Sequence, residues 1–414
     1  MTPAPRVAFF TDCFNEVNGV ALTARQLFQH ARRHQLPLLC VHGDRDNGLE
    51  RQGDCWELRL KRGPWTSVSL ERDFQIDLVS FRHALKVRRT LRDFRPDLIH
   101  VTSTGDIAGL GFAAAALGGH PLLASWHTQV HEFARRRLER MLGWLPERTR
   151  RGLGRAVEAL VRQAVLWPYR SARLVLAPTR ELAIQLESWT GRPGGVLGRG
   201  VDNRAFSPCW RTRPESDTAL RLGFVGRISA EKGLELLPRV EEALLRAGVR
   251  DFTTVLIGEG GDRPRLMREL RHGHWTGVLR GEALSRAISD LDLLVFPSKT
   301  DTFGNAVQEA LSSGVPAVVT DQGGPKHIVR HSHSGCITHS DHDFIQAVVA
   351  LAQDRPRLSR MSQAARLQSL GRTWGSAFDD LWVHYTQVAD SHEVCPQPEN
   401  PPPEPIHPAA QPQR

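Results

Sequence analysis

At 414 residues the chain exceeds the size at which a single hydrophobic core keeps growing, so two domains are expected. Its 40% apolar and 24% charged residues are ordinary for a soluble globular protein, and no window reaches the about 18 uninterrupted apolar residues of a membrane span. The 54 Lys and Arg against 45 Asp and Glu give a net charge of +9, which favours anionic partners such as nucleotide phosphates, anionic lipid or nucleic acid.

The N-terminal run Arg6-Val-Ala-Phe-Phe10 lacks the basic region and long apolar stretch of a signal peptide. Cysteines at 13, 40, 55, 209, 336 and 395 show no metal-like spacing and read as reduced residues of a cytoplasmic protein. From the start, short apolar runs alternate with helical patterns, as in parallel α/β units. Strands are predicted at 6–10, 36–41, 56–60, 97–101, 121–125 and 173–177, with helices at 19–33, 81–93, 106–117 and 179–189.

Residues 135–173 carry 11 Arg against three Glu, a net +8 that nearly accounts for the excess of the whole chain. Leu138, Met141, Leu142, Trp144 and Leu145 are interleaved with the arginines, and Leu153, Val157, Leu160, Val161, Val165 and Trp167 recur at helical spacing. A basic amphipathic helix with aromatic anchors suits an anionic membrane surface, and the plainer alternative is a solvated helix capping the first domain.

The segment 191–208 is rich in Gly and Pro and marks a hinge. The alternation then restarts, with strands predicted at 220–226, 253–258, 277–279, 291–297 and 315–320. Two α/β units in tandem imply a ligand cleft at the carboxyl ends of their strands. The tail from Cys395 to Arg414 holds eight prolines and almost no large apolar residue, the composition of a disordered segment.

Two motifs carry chemistry. In Phe224-Val-Gly-Arg-Ile-Ser-Ala-Glu-Lys-Gly233, a strand ends at Gly226, and Arg227 and Lys232 flank a tight turn into a helix. Two cations beside a helix N-terminus suit a diphosphate, although solvated cations also follow many strands. In Leu294-Val-Phe-Pro-Ser-Lys-Thr-Asp-Thr-Phe-Gly-Asn-Ala-Val-Gln-Glu-Ala310, a buried strand runs into a polar loop and a helix opens near Gly304. Asp301 and Glu309 could accept sugar and ribose hydroxyls, and the amides near Phe303, Gly304 and Asn305 could face an anion or a sugar. The plainer reading makes Asp301 a helix cap and Glu309 a solvated helix residue.

In this order and spacing, the two segments resemble the retaining glycosyltransferases of family 4, which have the GT-B fold of two Rossmann-like domains. Asp301 and Glu309 match the family's paired acids, and Gly226, Arg227, Glu231, Lys232 and Gly233 match its phosphate motif. Gly200-Val-Asp-Asn-Arg-Ala-Phe-Ser-Pro208, Phe10-Thr-Asp-Cys-Phe-Asn-Glu-Val-Asn-Gly-Val20 and Ser125-Trp-His-Thr128 resemble further family elements, so the match runs over about residues 6–390.

The resemblance implies roles for these positions. Arg227 and Lys232 would neutralise the donor diphosphate, Gly226 would lie against it, and Glu309 would hold the ribose. Asp301, with the amides of Phe303, Gly304 and Asn305, would hold the transferred sugar, His127 would contact that sugar near its reacting carbon, and Gly19 would let its backbone approach the ligand closely. The family more often has Glu at the position of Asp301, so the shorter acid would reach the sugar by a different route. The wording of the motifs is closest to the mannosyltransferase-like, glycolipid-synthesising branch.

The organisation implied is an acceptor-binding domain over 1–190, a linker over 191–210, a nucleotide-sugar domain over 211–370, a helix over 371–392 that returns to the first domain, and the tail 393–414. The implied reaction transfers a hexose, mannose from GDP-mannose being favoured over UDP-linked glucose or galactose. The acceptor is a lipid or glycan, no metal or other cofactor is expected, and the place is the cytoplasm or the inner membrane face. A non-catalytic sugar-nucleotide-binding protein is the alternative.

His127, His131 and Glu132 invite a metal site only superficially, and Asp44-Arg-Asp46 and Asp290-Leu-Asp292 are formal metal-binding pairs in structural positions. No nucleic-acid module is recognisable, so no nucleic-acid partner is expected.

Overall fold

The computed structural model describes residues 4–390, except 17, 64–66, 72–73, 78, 215 and most of 128–145, where only 138, 142 and 144 are described. The Pro-rich tail and His131 and Glu132 therefore lie outside the described residues, as does most of the basic stretch before residue 146.

The first lobe is built on β1 (Val7–Thr11), β2 (Leu38–Asp44), β3 (Gly48–Gln52) and β4 (Cys55–Lys61), a small antiparallel hairpin of β5 (Ser67–Glu71) and β6 (Phe74–Asp77), and then β7 (Leu98–Val101), β8 (Leu122–Ser125), β9 (Leu174–Ala177) and β10 (Gly194–Val196). Its main sheet has the order β10-β9-β8-β7-β1-β2-β4-β3, parallel throughout except that β3 runs antiparallel to β4 at the edge. β1 is buried over all five residues, as a parallel strand must be when both of its faces are covered.

One face carries α2 (Ala84–Phe94), α3 (Asp106–Gly118) and α5 (Arg180–Thr190), whose Leu91, Phe94, Leu110, Leu182 and Leu186 share a core with alternate residues of the strands. The other face carries α1 (Gly19–His34), which Asn18 caps by accepting from the Ala21 amide at 2.9 Å. Between α3 and α5 lies α4 (Glu147–Leu166), a mostly exposed helix.

The second lobe has six parallel strands, β11 (Leu220–Val225), β12 (Phe252–Ile257), β13 (Gly273–Gly277), β14 (Leu293–Phe296), β15 (Ala317–Thr320) and β16 (Gly335–Thr338), in the order β13-β12-β11-β14-β15-β16. Helices α6 (Leu236–Arg246), α7 (Arg263–Glu269), α8 (Gly281–Ser289), α9 (Asn305–Ser312), α10 (Asp341–Gln353) and α11 (Arg355–Leu370) complete it. The strand order reverses between β11 and β14, which opens a crevice at their carboxyl ends.

The chain crosses between lobes twice, and the two crossings lie side by side. The Val201 amide donates to the Arg372 carbonyl at 3.0 Å, Val201 bridges Thr373, and a Cβ at Gly200 would lie 2.0 Å from the Trp374 nitrogen. Only glycine permits that approach. The last helix, α12 (Trp374–Asp390), then buries Phe378, Leu381, Tyr385 and Val388 against Phe9, Leu27 and Phe28 of the first lobe. The Tyr385 hydroxyl meets His100 Nδ1 at 2.7 Å, and His100 Nε2 meets the Ser125 hydroxyl at 2.5 Å. Full burial pulls that imidazole down to about 3, so it is neutral.

Two sequence expectations need correction. The strand expected at 277–279 runs instead over Gly273–Gly277, because a half-exposed edge strand need not be apolar. Residues 194–196, expected within the hinge, form the short edge strand β10 of the first sheet, where small residues still pair through their backbone. β3, β16 and the small hairpin were not anticipated.

Candidate functional site

The loops leaving β11 and β14 carry the two motifs to the same crevice. After Val225 the chain passes Gly226 and the exposed Arg227 and tightens into a 3-10 turn over Ala230–Lys232. The Ser229 hydroxyl donates to Glu231 at 2.5 Å, and the Thr300 hydroxyl donates to the Glu231 carbonyl at 3.3 Å, which ties the turn to the facing loop. Lys232 Nζ therefore sits 2.7 and 2.9 Å from the two oxygens of Asp301, so the structure pairs a cation and an acid that are 69 positions apart.

Asp301 does not cap the helix. The N-cap of α9 is Gly304, at φ +100°, and no side chain accepts from the first turn. A left-handed residue is needed to enter the helix from this loop, and glycine supplies it without strain. The amides of the first turn thus lack a side-chain acceptor, which gives a short positive helix end beside Lys232. Phe303 is buried at its base, and Asn305 is half-buried with its Oδ1 shut off from solvent and without a partner among the described residues. In the second turn, Glu309 is partly buried and makes no side-chain hydrogen bond or ion pair to a described residue. Burial without a compensating donor pushes its carboxyl up to about 7.

The first lobe supplies the opposite wall. The His127 carbonyl accepts from the Thr302 hydroxyl at 2.9 Å, and the His127 side chain is 7% exposed. A Cβ at Gly19 would fall 2.7 Å from Arg199 Nη1 and 2.9 Å from Asn305 Nδ2, so its bare backbone lets α1 approach the end of α9. Sequence reasoning missed Arg199. Its Nη1 donates to the Gly19 carbonyl at 2.8 Å, its Nη2 lies 3.3 Å from His127 Nδ1, and its guanidinium carbon sits 5.8 Å from the centre of the Phe303 ring. The Arg199 carbonyl accepts from Gln308 Nε2 at 2.8 Å. Burial draws the guanidinium down to about 10, partly opposed by Asp301, so it remains a cation at neutral pH. Burial first, then Arg199 and His100, hold His127 well below the ordinary imidazole range.

The structure thus gathers Lys232 with Asp301, and gathers His127, Gly19, Phe303 and Asn305 around Arg199. Gly226 and Arg227 lie on the loop that carries Lys232, and Glu309 lies on the helix that follows Asp301. The only signal for Arg199 in the sequence is a cation between two glycines at a strand exit, a position that strand and helix periodicity do not distinguish.

The rival pairs are used elsewhere. Asp290 accepts from the backbone and hydroxyl of Thr212, and Asp292 pairs with Arg211 and Arg213 at 2.8 Å, a clasp fastening the segment just after the linker to the second lobe. Asp44 accepts from the Arg45 amide, and Asp46 is exposed. Among the described residues no group of three or more His, Cys, Asp or Glu could hold a metal ion.

Residues 17–204 match a family model described as Glycosyltransferase Family 4, and residues 219–354 match one described as Glycosyl transferases group 1. A GDP-mannose-dependent alpha-mannosyltransferase of Mycobacterium tuberculosis is 28% identical over 92% of this chain and 97% of its own length. Its counterpart from Mycolicibacterium smegmatis is 29% identical with the same coverage. Among solved structures, sucrose-phosphate synthase from Thermosynechococcus elongatus superposes with a TM-score of 0.70 at 16% identity, over 93% of this chain and all of that one, which shows the shared two-lobed GT-B fold. With both lobes matched in order, the chain belongs to glycosyltransferase family 4.

Proposed function

We propose that this glycosyltransferase moves mannose from GDP-mannose, with retention of configuration, to a lipid or glycan acceptor at a membrane surface. The observation that carries the reading is the Lys232–Asp301 pair beside the uncapped N-terminus of α9, faced across the cleft by His127 and Arg199. Without a donor, Lys232 and Asp301 satisfy each other. An arriving diphosphate competes for the ammonium and frees the carboxylate to accept from a sugar hydroxyl.

As the bond between the anomeric carbon and the diphosphate oxygen breaks, negative charge grows on the leaving group. Lys232, Arg227 and the α9 amides are disposed to stabilise it. The acceptor hydroxyl forms its bond to the same face of the carbon, and its proton passes to the departing diphosphate. Glu309, ionised above about pH 7, accepts from the ribose hydroxyls. No metal enters this scheme. The choice of GDP-mannose rests on the two relatives whose names carry that donor and whose full length the chain matches.

The test is a donor screen. With GDP-mannose, slow acceptor-free hydrolysis and transfer to a lipid or glycan extract are expected, with the α-anomer retained by NMR. Turnover of UDP-glucose or UDP-galactose alone overturns the donor assignment. Binding without turnover on any acceptor makes the chain a sugar-nucleotide-binding protein.

For the surface, α4 presents Leu153 and Leu160, and Trp167 follows at its C-terminal cap with the same seven-residue spacing; the three are exposed by 43%, 71% and 73%. Arg148, Arg150 and Arg155 are on the same helix, while Arg162 lies over the Trp189 ring at 5.1 Å. An exposed apolar stripe with Arg150 one turn before Leu153 fits an anionic bilayer, that cation contributing about 1 kcal/mol, whereas Arg148 and Arg155 fall on the side of Arg162. No helix among the described residues is long and apolar enough to cross a membrane. Flotation with phosphatidylglycerol vesicles is expected to fall at least about tenfold for Arg150→Glu, and again for Leu160→Glu. Unchanged flotation removes α4 as the anchor.

A further inference from the structure

We infer that Arg199 is a positioning residue that locks His127 as the neutral tautomer protonated on Nε2, so that this ring offers a fixed hydrogen-bond donor to the transferred sugar. The inference rests on the proposed transferase activity for its meaning, and on geometry alone for the tautomer.

A guanidinium has five N–H donors and no acceptor. With Nη2 3.3 Å from His127 Nδ1, that nitrogen has to be the acceptor, and the single proton of the neutral ring lies on Nε2. His127 Nε2 has no hydrogen-bond partner among the described residues, so the donor is unspent. Arg199 is itself tightly held: it is 7% exposed, its Nη1 is engaged by the Gly19 carbonyl, its own carbonyl by Gln308, and its guanidinium lies against Phe303. Its Nε is buried without a partner among the described residues, a cost accepted at a place where the cation is needed.

Each of these anchors comes from a different element: α1 through Gly19, α9 through Gln308, the loop before α9 through Phe303. The orientation of the imidazole is consequently set only when both lobes meet. The charged and titratable groups facing His127 among the described residues are Arg199 and His100, with Asp301 acting on Arg199. All three leave the ring neutral. A neutral Nε2–H can bind a sugar hydroxyl or ring oxygen without adding a cation next to a carbon that becomes positive as its bond breaks, which an imidazolium would do.

The experiment uses the full chain labelled with 15N-histidine. Long-range proton–nitrogen correlation spectra report the tautomer of each ring, and His127→Asn identifies the signal of interest. Wild type is expected to show Nε2 protonated and Nδ1 bare, unchanged from about pH 5.5 to 8. In Arg199→Met the signal is expected to become a mixture of neutral tautomers, because burial, the larger cause of its lowered basicity, remains. The kcat with the productive donor should drop about 10- to 100-fold and the donor Kd stay within about twofold, as when a catalytic imidazole loses its orienting partner. Arg199→Lys, which still donates to Nδ1, is expected to restore the tautomer and part of kcat.

If Arg199→Met does not fold, Arg199→Glu makes the same test, because a carboxylate only accepts, from Nδ1–H, and so favours the other tautomer. An unchanged Nε2–H ring in these variants overturns the inference. So does a shifted tautomer with unchanged kcat, or a weakened donor Kd with the tautomer intact, which would make Arg199 a donor contact. Should no sugar nucleotide turn over, the proposed function fails, and the spectra alone decide the tautomer.

Discussion

Lys232→Ala is expected to lower kcat by about 100- to 1,000-fold, the cost of removing one preorganised charge from a developing anion, about 2.7–4 kcal/mol. The ammonium lies 2.7 and 2.9 Å from Asp301 and beside the uncapped start of α9, so a diphosphate bound there would meet it directly. Because charge on the leaving oxygen is greater in the transition state than in the bound donor, kcat should fall more than donor affinity. Lys232→Arg should rescue only part, since a planar fork cannot reproduce a compact ammonium. The melting temperature should barely move, because a partly exposed ion pair contributes at most about 1 kcal/mol. Steady-state kinetics with donor titration and thermal melts check each part. A variant with full kcat and a lowered melting temperature would mean that Lys232 serves only to hold Asp301.

Glu309→Gln is expected to abolish a pH dependence in both activity and stability. Burial raises the carboxyl from an ordinary 4.5 to about 7. Ribose hydroxyls are held by the ionised form, so wild-type kcat/KM should rise with pH and level off above about 8, with a midpoint near 7. The glutamine variant should be flat, matching wild type at low pH and falling about 10- to 100-fold below it at high pH.

For stability the direction is opposite. Between 4.5 and 7 the folded chain retains a proton that the unfolded chain has released, so wild type loses stability as pH rises through that window. The penalty is absent below 4.5 and complete above 7, about 1–3 kcal/mol for a partly solvated group. Glu309→Gln should therefore be more stable than wild type at pH 8 and equal to it at pH 4.5. Urea titrations at the two values measure this. A wild-type midpoint that does not vary with pH would return the carboxyl to its ordinary range and leave its unpaired state unexplained.

Much of this molecule is legible from its sequence, and the reason is physical. Strands such as β1 and β14 are buried on both faces, so they must be continuous apolar runs, and helices such as α1 and α5 announce themselves by capping residues and spacing. The edge strands escape notice because one side of each has no neighbour: β13 is Gly-His-Trp-Thr-Gly and β3 is Gly-Leu-Glu-Arg-Gln, neither of which need be apolar. In the site, Lys232 and Asp301 are identifiable separately, but their contact is a property of two loops brought together by β11 pairing with β14. Arg199 carries no pattern at all, since what makes it matter is the convergence of Gly19, Phe303 and Gln308 around it.

The adjacency of the two interlobe passages has a mechanical consequence. With Val201 hydrogen-bonded to Arg372 and Gly200 pressed against Trp374, the two passages of the chain form one narrow seam, placed like the pin of a door. Rotation about that seam is the relative movement these two contacts would leave intact, while sliding or twisting would drive backbone into backbone. A methyl group added at position 200 would wedge the pin itself, and its effect would be felt at residues far along the chain, where His127 and Thr302 come together.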